Sequence, residues 1–496
     1  MGKLFGTDGI RGEANQYPMT PEIAFGVGRA MAHLFKKNGH RAVVIIGKDT
    51  RLSGYMLESS LEAGITSMGG YSYLVGVMPT PAIAFVTQSM RADAGVVISA
   101  SHNPFQDNGL KIFGGDGYKL SDEQEDFIED LILNNKLSDL VPRGPDIGKA
   151  YRLDGVNGRY IVFAKNTFPR NLSMEGMKIV LDTANGATYK VAPDTFHELG
   201  ANIEVIHKTP NGTNINDGCG SQHTEILRKK VVENGAALGL AFDGDGDRLI
   251  AVDEKGREIT GDQIMVICAN ILKREGKLKN DLLVTTVMSN LGLTVACKKY
   301  GFRHHASKVG DRYVLEDMKR LDGIIGGEEA GHMIFLDHHT TGDGIIAALQ
   351  LVAAMIKEGK PLSELARMMD IFPQKLINVD VTPDPEVHIH RIGRTGRGDA
   401  EGLALNLASM DEMGSVGKIE QLQGRESRWF PLADLTPTGS GPLVPPMVTL
   451  QIIGGRKEKI RAGDVLGALT GDMGYTREQV GKINVNDFST YVAVDR

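Results

Sequence analysis

From the N-terminus to about Val381, short apolar runs alternate with longer amphipathic segments. Ala42–Ile46 is continuously apolar and β-branched, is stopped by Gly47, and reads as a buried strand. Pro81–Ser89 follows as a helix, and Ala94–Ser99 as a second strand ending at Ala100, Ser101 and His102. The pattern recurs with a strand at Lys178–Asp182, running into Thr183–Gly186, and another at Ala237–Phe242, ending at Asp243. A third cycle places strands at Leu282–Met288 and Gly323–Gly326 and a long helix at Gly344–Lys357. This alternation predicts three α/β units of about 100–150 residues each, with mostly parallel strands. After Thr382 the texture changes. Pro383 and Pro385 punctuate the chain, Thr436–Pro446 reads as a Pro-, Gly- and Thr-rich linker, and Met447–Ile453 opens a small α+β unit whose last strand is Thr490–Val494.

Composition narrows the possibilities. A chain of 496 residues exceeds one ordinary domain, and 41% apolar with 24% charged residues is a globular balance. The formal net charge of -7 excludes a global basic field for nucleic acid and leaves only local patches. No apolar run reaches the roughly 18 residues of a membrane span. Met1–Gly12 carries charge and turn residues where a signal peptide would have its apolar core. Cys219, Cys268 and Cys297 are far apart, without metal-ligand spacing, so a cytoplasmic protein without membrane association is expected.

The chemistry concentrates in four motifs. Asp243-Gly244-Asp245-Gly246-Asp247-Arg248 sets three carboxylates at alternating positions after a strand, with glycines that let the backbone curl so that they converge. Three such charges call for a hard divalent cation. An EF-hand would carry the pattern on to a later acidic residue, but Arg248, Leu249 and Ile250 follow. Ser99-Ala100-Ser101-His102-Asn103-Pro104 puts a serine on a strand-end turn, expected to be exposed as a nucleophile or phosphate carrier, ten residues before Lys111; taken alone, the motif reads more readily as an ordinary turn serine beside a satisfied turn histidine. Gly326–His332 offers Glu328 and His332 on a glycine-flanked loop suited to sugar hydroxyls. Phe5–Gly12 flanks Arg11 with glycines, where its guanidinium can reach a phosphate. The last two motifs, taken singly, read as well as plain surface loops.

Together with GKDTRLSG (Gly47–Gly54), KVGDRYV (Lys308–Val314) and TTGDG (Thr340–Gly344), these motifs resemble the α-D-phosphohexomutase superfamily, and within it the bacterial phosphoglucosamine mutase family, from Met1 to about Val381. The resemblance implies three consecutive mixed-sheet α/β domains, at 1–155, 156–260 and 261–381. It implies conversion of glucosamine 6-phosphate to glucosamine 1-phosphate through a phosphoserine and a sugar 1,6-bisphosphate; mannose or glucose phosphates are the alternative substrates. Ser101 would be the phosphoserine, and with Asp243, Asp245 and Asp247 would hold one Mg²⁺ per chain. Arg11, Lys111 and Arg248 match the family's positive groups, Lys111 and Arg11 being the candidates for proton transfer beside His102. Glu328 and His332 fall on the sugar loop, where Ala330 stands in place of the usual serine.

Beyond Val381 the resemblance changes. Relatives close the site with a fourth domain whose Ser-Gly-Thr-Glu-Pro loop grips the distal phosphate, and no such loop occurs in this chain. Asp384–Arg397 resembles the last motif of DEAD-box RNA helicases, and Ile460–Val494 resembles the RNA-binding module of their ribosomal-RNA-binding subfamily, in truncated form. Neither a phosphate-binding Gly-Lys-Ser/Thr nor Asp-Glu-Ala-Asp accompanies them. The resemblance implies a fusion, with a helicase fragment at 382–446 and a partial, poorly packed α+β RNA-binding-like tail at 447–496. Arg456, Lys457, Lys459 and Arg461 form the one basic cluster of the tail, which reads equally well as a solvated turn. RNA is therefore the lesser candidate partner beside a phosphosugar.

Overall fold

The computed structural model describes residues 4–6, 8–36, 40–373, 447–453, 461–471, 475–476, 479–485 and 489–495. The helicase-like Asp384–Arg397, the Thr436–Pro446 linker, the 382–446 segment as a whole, and Arg456, Lys457 and Lys459 lie outside the described residues. The chain divides into two compact units, 1–375 and 376–496.

Three mixed sheets build the first unit. The first orders its strands Ile10–Glu13, Asp107–Gly114, Ala94–Ile98, Val43–Lys48, Tyr71–Val77 and Lys149–Arg152. The last four are mutually parallel, whereas Asp107–Gly114 runs antiparallel to both neighbours. The second orders Glu258–Ile259, Leu249–Asp253, Leu238–Phe242, Lys178–Asp182 and Asn202–Ile206. The third orders Arg303–Ser307, Leu282–Thr286, Ile325–Gly327 and Met333–Phe335. Each sheet thus couples a parallel core, read from the apolar runs, to an antiparallel hairpin strand that those runs did not announce. Asp107–Gly114 mixes Asp, Asn, Gly and Lys with apolar residues, and its burial on both faces comes from neighbours distant in sequence.

One apolar core runs from Ile45 and Val97 of the first sheet through Phe196 and Leu240 of the second region to Leu349 and Val352. The last two lie on the helix Gly344–Glu358, which buries most of its circumference. Asp343 starts that helix: its carboxylate accepts from Ile345 N at 2.9 Å and Ile346 N at 3.0 Å, and Tyr160 donates its hydroxyl to it at 2.8 Å. Desolvation pushes the Asp343 carboxyl up to about 6 despite these donors.

Among its described residues the second unit holds a three-stranded antiparallel sheet in the order Met447–Ile453, Ser489–Asp495, Val480–Val485. The helix Ala462–Gly471 packs Val465 and Leu469 on Val492 and Val494.

Candidate active site

The strand ends that the apolar runs predicted converge on one cleft in the first unit. Ser101 follows the strand Ala94–Ile98 and has φ +53°, a left-handed conformation uncommon and strained for a non-glycine residue. The surroundings over-determine it. Ser101 N donates to Ser99 Oγ at 3.0 Å, and its carbonyl accepts from Arg51 Nη2 at 3.1 Å and Asn216 Nδ2 at 2.9 Å. Arg51 is itself fully buried, paired with Asp49, and also reaches Asn103 O at 2.6 Å. The Asp49–Arg51 pair, from the GKDTRLSG motif, is thus the frame of the serine turn. Sequence reasoning quoted that motif without a role for it; the signal available was an acid and an arginine two residues apart at a strand end.

Ser101 is not exposed, contrary to the expectation from its turn: 1% of its surface reaches solvent. The aspartate loop covers it. Ser101 Oγ donates to Asp243 Oδ2 at 2.6 Å, and a Cβ at Gly244 would stand 2.6 Å from Ser101 O, so only glycine lets the loop approach this closely. Gly246, with φ +73°, completes the curl. Behind the loop, Ala187 N donates to Gly244 O at 2.8 Å. Asp182 fastens that supporting turn by accepting from Ala184 N at 2.9 Å and Gly220 N at 3.0 Å.

Asp243, Asp245 and Asp247 are buried, and one oxygen of each lies within 4.8 Å of the others. Burial, then the charges of Asp247 and Asp245, push the Asp243 carboxyl well up. Among the described residues no hydrogen-bond donor reaches Asp245 Oδ1 or Asp247 Oδ1, and solvent does not reach them either. Converging, buried, under-satisfied carboxylate oxygens fit a hard divalent cation.

Lys111 arrives from the antiparallel strand Asp107–Gly114. Its ammonium lies 2.9 Å from Asp245 Oδ2 and 3.0 Å from Asp247 Oδ2. Burial alone would lower its pKa, but Asp245, Asp247 and Asp8 outweigh burial and hold it protonated. Arg11 faces Gly109 across the strand pair, which sets it beside Lys111, and it pairs with Asp8. His102 Nδ1 is 3.4 Å from Ser101 Oγ. Burial, with Arg248 and Arg11 nearby, lowers its imidazole to about 4, so it is neutral at pH 7.

The third sheet completes the cleft. His332 bridges to Arg248 through the backbone and sets Nδ1 3.7 Å from Asp247 Oδ1 and Nε2 3.6 Å from Asp311 Oδ2. Burial would lower the His332 pKa, but Asp247, Asp311 and Glu328 overcome it and raise it. Glu328 accepts from Gly310 N at 3.1 Å, and Ala330 is exposed on the same loop. The cleft therefore brings together Ser101, His102, Lys111, Arg11, the three aspartates, Arg248 and His332, with Glu328 on the adjoining loop. Asp8, Lys119 and Asp311, which sequence reasoning did not single out, stand among them.

Comparison with known proteins agrees with this arrangement. Residues 2–139, 159–256 and 260–372 match the phosphoglucomutase/phosphomannomutase alpha/beta/alpha domains I, II and III, and residues 449–496 match the DbpA RNA binding domain. A phosphoglucosamine mutase of Syntrophobacter fumaroxidans is 73% identical over 387 residues, covering 78% of this chain and 86% of the relative. One of Syntrophus aciditrophicus is 64% identical with the same coverage of both chains. The fold matches the crystal structure of a phosphoglucomutase/phosphomannomutase family protein from Burkholderia thailandensis, with TM-score 0.66 and 22% identity over 81% of this chain and 86% of that one. The three α/β domains, the converging aspartates and the close relatives together place the chain in the phosphoglucosamine mutase family of isomerases.

Proposed function

We propose that this chain interconverts glucosamine 6-phosphate and glucosamine 1-phosphate, with Ser101 as the phosphoryl carrier. The observation that carries the reading is the buried 2.6 Å contact between Ser101 Oγ and Asp243, which joins the serine turn to the aspartate loop. In the first half-reaction the bond from phosphorus to Ser101 Oγ breaks and one to a sugar hydroxyl forms, giving a sugar 1,6-bisphosphate. The bisphosphate turns over in the cleft and returns its other phosphoryl group to Ser101. Asp243, Asp245 and Asp247, with the serine phosphate, would hold one Mg²⁺, which when bound offsets charge on the transferring group.

The cations Lys111, Arg11 and Arg248 stand beside the aspartates and would stabilise charge on the transferring group. Of the proton-transfer candidates, Lys111 stands here as a cation. Of the three, the neutral His102, 3.4 Å from Ser101 Oγ, is the one able to accept a proton, while the Ser101 hydroxyl itself donates to Asp243. Glu328 and His332 would hold the sugar ring between transfers. The reaction belongs in the cytoplasm, where sugar phosphates are handled. The test compares turnover of glucosamine, mannose and glucose 6-phosphates by the chain and by Ser101→Ala; preference for mannose or glucose phosphate would replace this substrate assignment.

We further propose domain limits of 1–155, 156–260 and 261–381, and a helicase-derived tail over 382–496. The antiparallel sheet and the RNA-binding family match over 449–496 support the origin of the tail. RNA binding by it is the lesser reading, and a gel shift with a ribosomal RNA hairpin decides it.

A further inference from the structure

The helix Asp311–Leu321 of the third domain begins with two residues of opposite charge, and both are spent on the first domain. Asp311 Oδ2 lies 2.5 Å from Lys119 Nζ. Arg312 Nη1 lies 2.6 Å from Asp122 Oδ1 and 3.4 Å from Glu125 Oε2, while its Nη2 donates to Leu120 O at 3.3 Å. Lys119, Asp311, Arg312 and Glu125 are mostly buried, so these pairs are screened less than surface ones.

The same helix start reaches the sugar loop. Gly310 N donates to Glu328 Oε1, and Asp311 Oδ2 faces His332 Nε2. Lys119 also pairs with Asp8, whose carboxylate lies 3.5 Å from Lys111. Ionisable groups thus close a ring, Asp247–Lys111–Asp8–Lys119–Asp311–His332 and back to Asp247, through all three domains. A cavity of about 430 Å³ lies against the pairs, lined by Tyr118, Lys119, Leu120, Asp311, Arg312 and Leu315 among others, whereas the apolar core that reaches from Ile45 to Leu349 joins the two domains elsewhere. Neutral contacts elsewhere, Thr340 Oγ1 to Gly117 O at 2.7 Å and His339 to Pro81 O at 2.8 Å, join the same two domains.

We propose that Asp311 and Arg312 are positioning residues that clamp the third domain onto the first through Lys119 and Glu125, and so hold the sugar loop of Glu328 and His332 against the serine and aspartate loops. The clamp lies wholly within residues 1–375. A loosened clamp leaves only a fraction of molecules with the sugar loop in place, and apparent affinity falls by that fraction while the bound state is unchanged. A role confined to fold stability would lower the melting temperature and leave the affinity of the folded molecules alone. The affinity arm rests on the function proposed above; the docking arm does not.

The test uses the full chain with spin labels on Ser138→Cys and Lys298→Cys, two exposed positions in the first and third domains; the native cysteines are buried. The parent should give one narrow distance distribution, Lys119→Met with Arg312→Met a broad one, and the charge-preserving Lys119→Arg a narrow one again. Calorimetry with glucosamine 6-phosphate should show roughly tenfold weaker binding by the double variant at unchanged stoichiometry, with Lys119→Arg close to the parent. Unchanged distances overturn the clamp, and wider distances with unchanged affinity overturn its positioning role. If the parent fails to bind the sugar phosphate, the proposed function falls, and the distances alone decide the clamp.

Discussion

Ser101 donates its hydroxyl to Asp243 at 2.6 Å, a contact between residues 142 positions apart in the chain. Phosphorylation of Ser101 would place a dianion on these carboxylates, which only a bound cation makes tolerable. Mg²⁺ should therefore raise the melting temperature in a concentration-dependent way, since a ligand that binds only the native state stabilises it by mass action. Asp245→Asn should shift that dependence to higher Mg²⁺. A melting temperature indifferent to Mg²⁺ over a wide range would remove the metal site from the account.

The aspartate loop was legible because its chemistry is local: three carboxylates and two glycines in five residues after an apolar strand. The parallel strands were legible for the same reason, and Lys178–Asp182 falls where its apolar run put it, as does the antiparallel Met447–Ile453 of the tail. What stayed hidden is non-local. Lys111 reaches the aspartates because its strand pairs antiparallel with Ala94–Ile98, and nothing in Asp107–Gly114 alone says so. Lys119 and Asp311 are 192 positions apart, and each reads singly as an ordinary surface charge. The burial of Ser101 depends on Gly244, which no local pattern around the serine contains.

Arg51→Met should be strongly destabilising. It leaves the Asp49 carboxylate buried without its cation, a loss of about 3–5 kcal/mol. Burial already pushes the Asp49 carboxyl up even with Arg51 in place. Adding Asp49→Asn should recover part of the loss, which urea denaturation of both variants would measure.

Asp343→Asn should make stability less dependent on pH. The Asp343 carboxyl is raised to about 6 in the folded chain, so the native state binds its proton more tightly than the unfolded state does. Its contribution is present in full below the ordinary carboxylate pKa and is lost as pH rises through about 6. An amide keeps the oxygen that caps Ile345 and Ile346 and carries no charge to desolvate. The variant should be as stable as the parent near pH 4 and more stable at pH 8 by about 3 kcal/mol. A gain that grows toward acid pH would contradict the assigned direction.

Turnover by this 496-residue chain should be slow, because its sequence holds no Ser-Gly-Thr-Glu-Pro loop for the distal phosphate. A bidentate arginine–phosphate contact is worth about 1.5–3 kcal/mol. Losing several should lower kcat/KM about a thousandfold or more. Replacing 383–496 with the fourth domain of a relative should restore the rate, as read by glucosamine 1-phosphate formation side by side.

The most direct measurement follows the phosphoryl group itself. The chain is phosphorylated by incubation with glucose 1,6-bisphosphate, freed of excess reagent, mapped by mass spectrometry, and mixed with glucosamine 6-phosphate for a single turnover. The phosphate should map to Ser101 and leave it as glucosamine bisphosphate appears, and Ser101→Ala should neither take up nor transfer phosphate. Phosphate found only at other serines, or glucosamine 1-phosphate formed equally well by Ser101→Ala, would contradict the account.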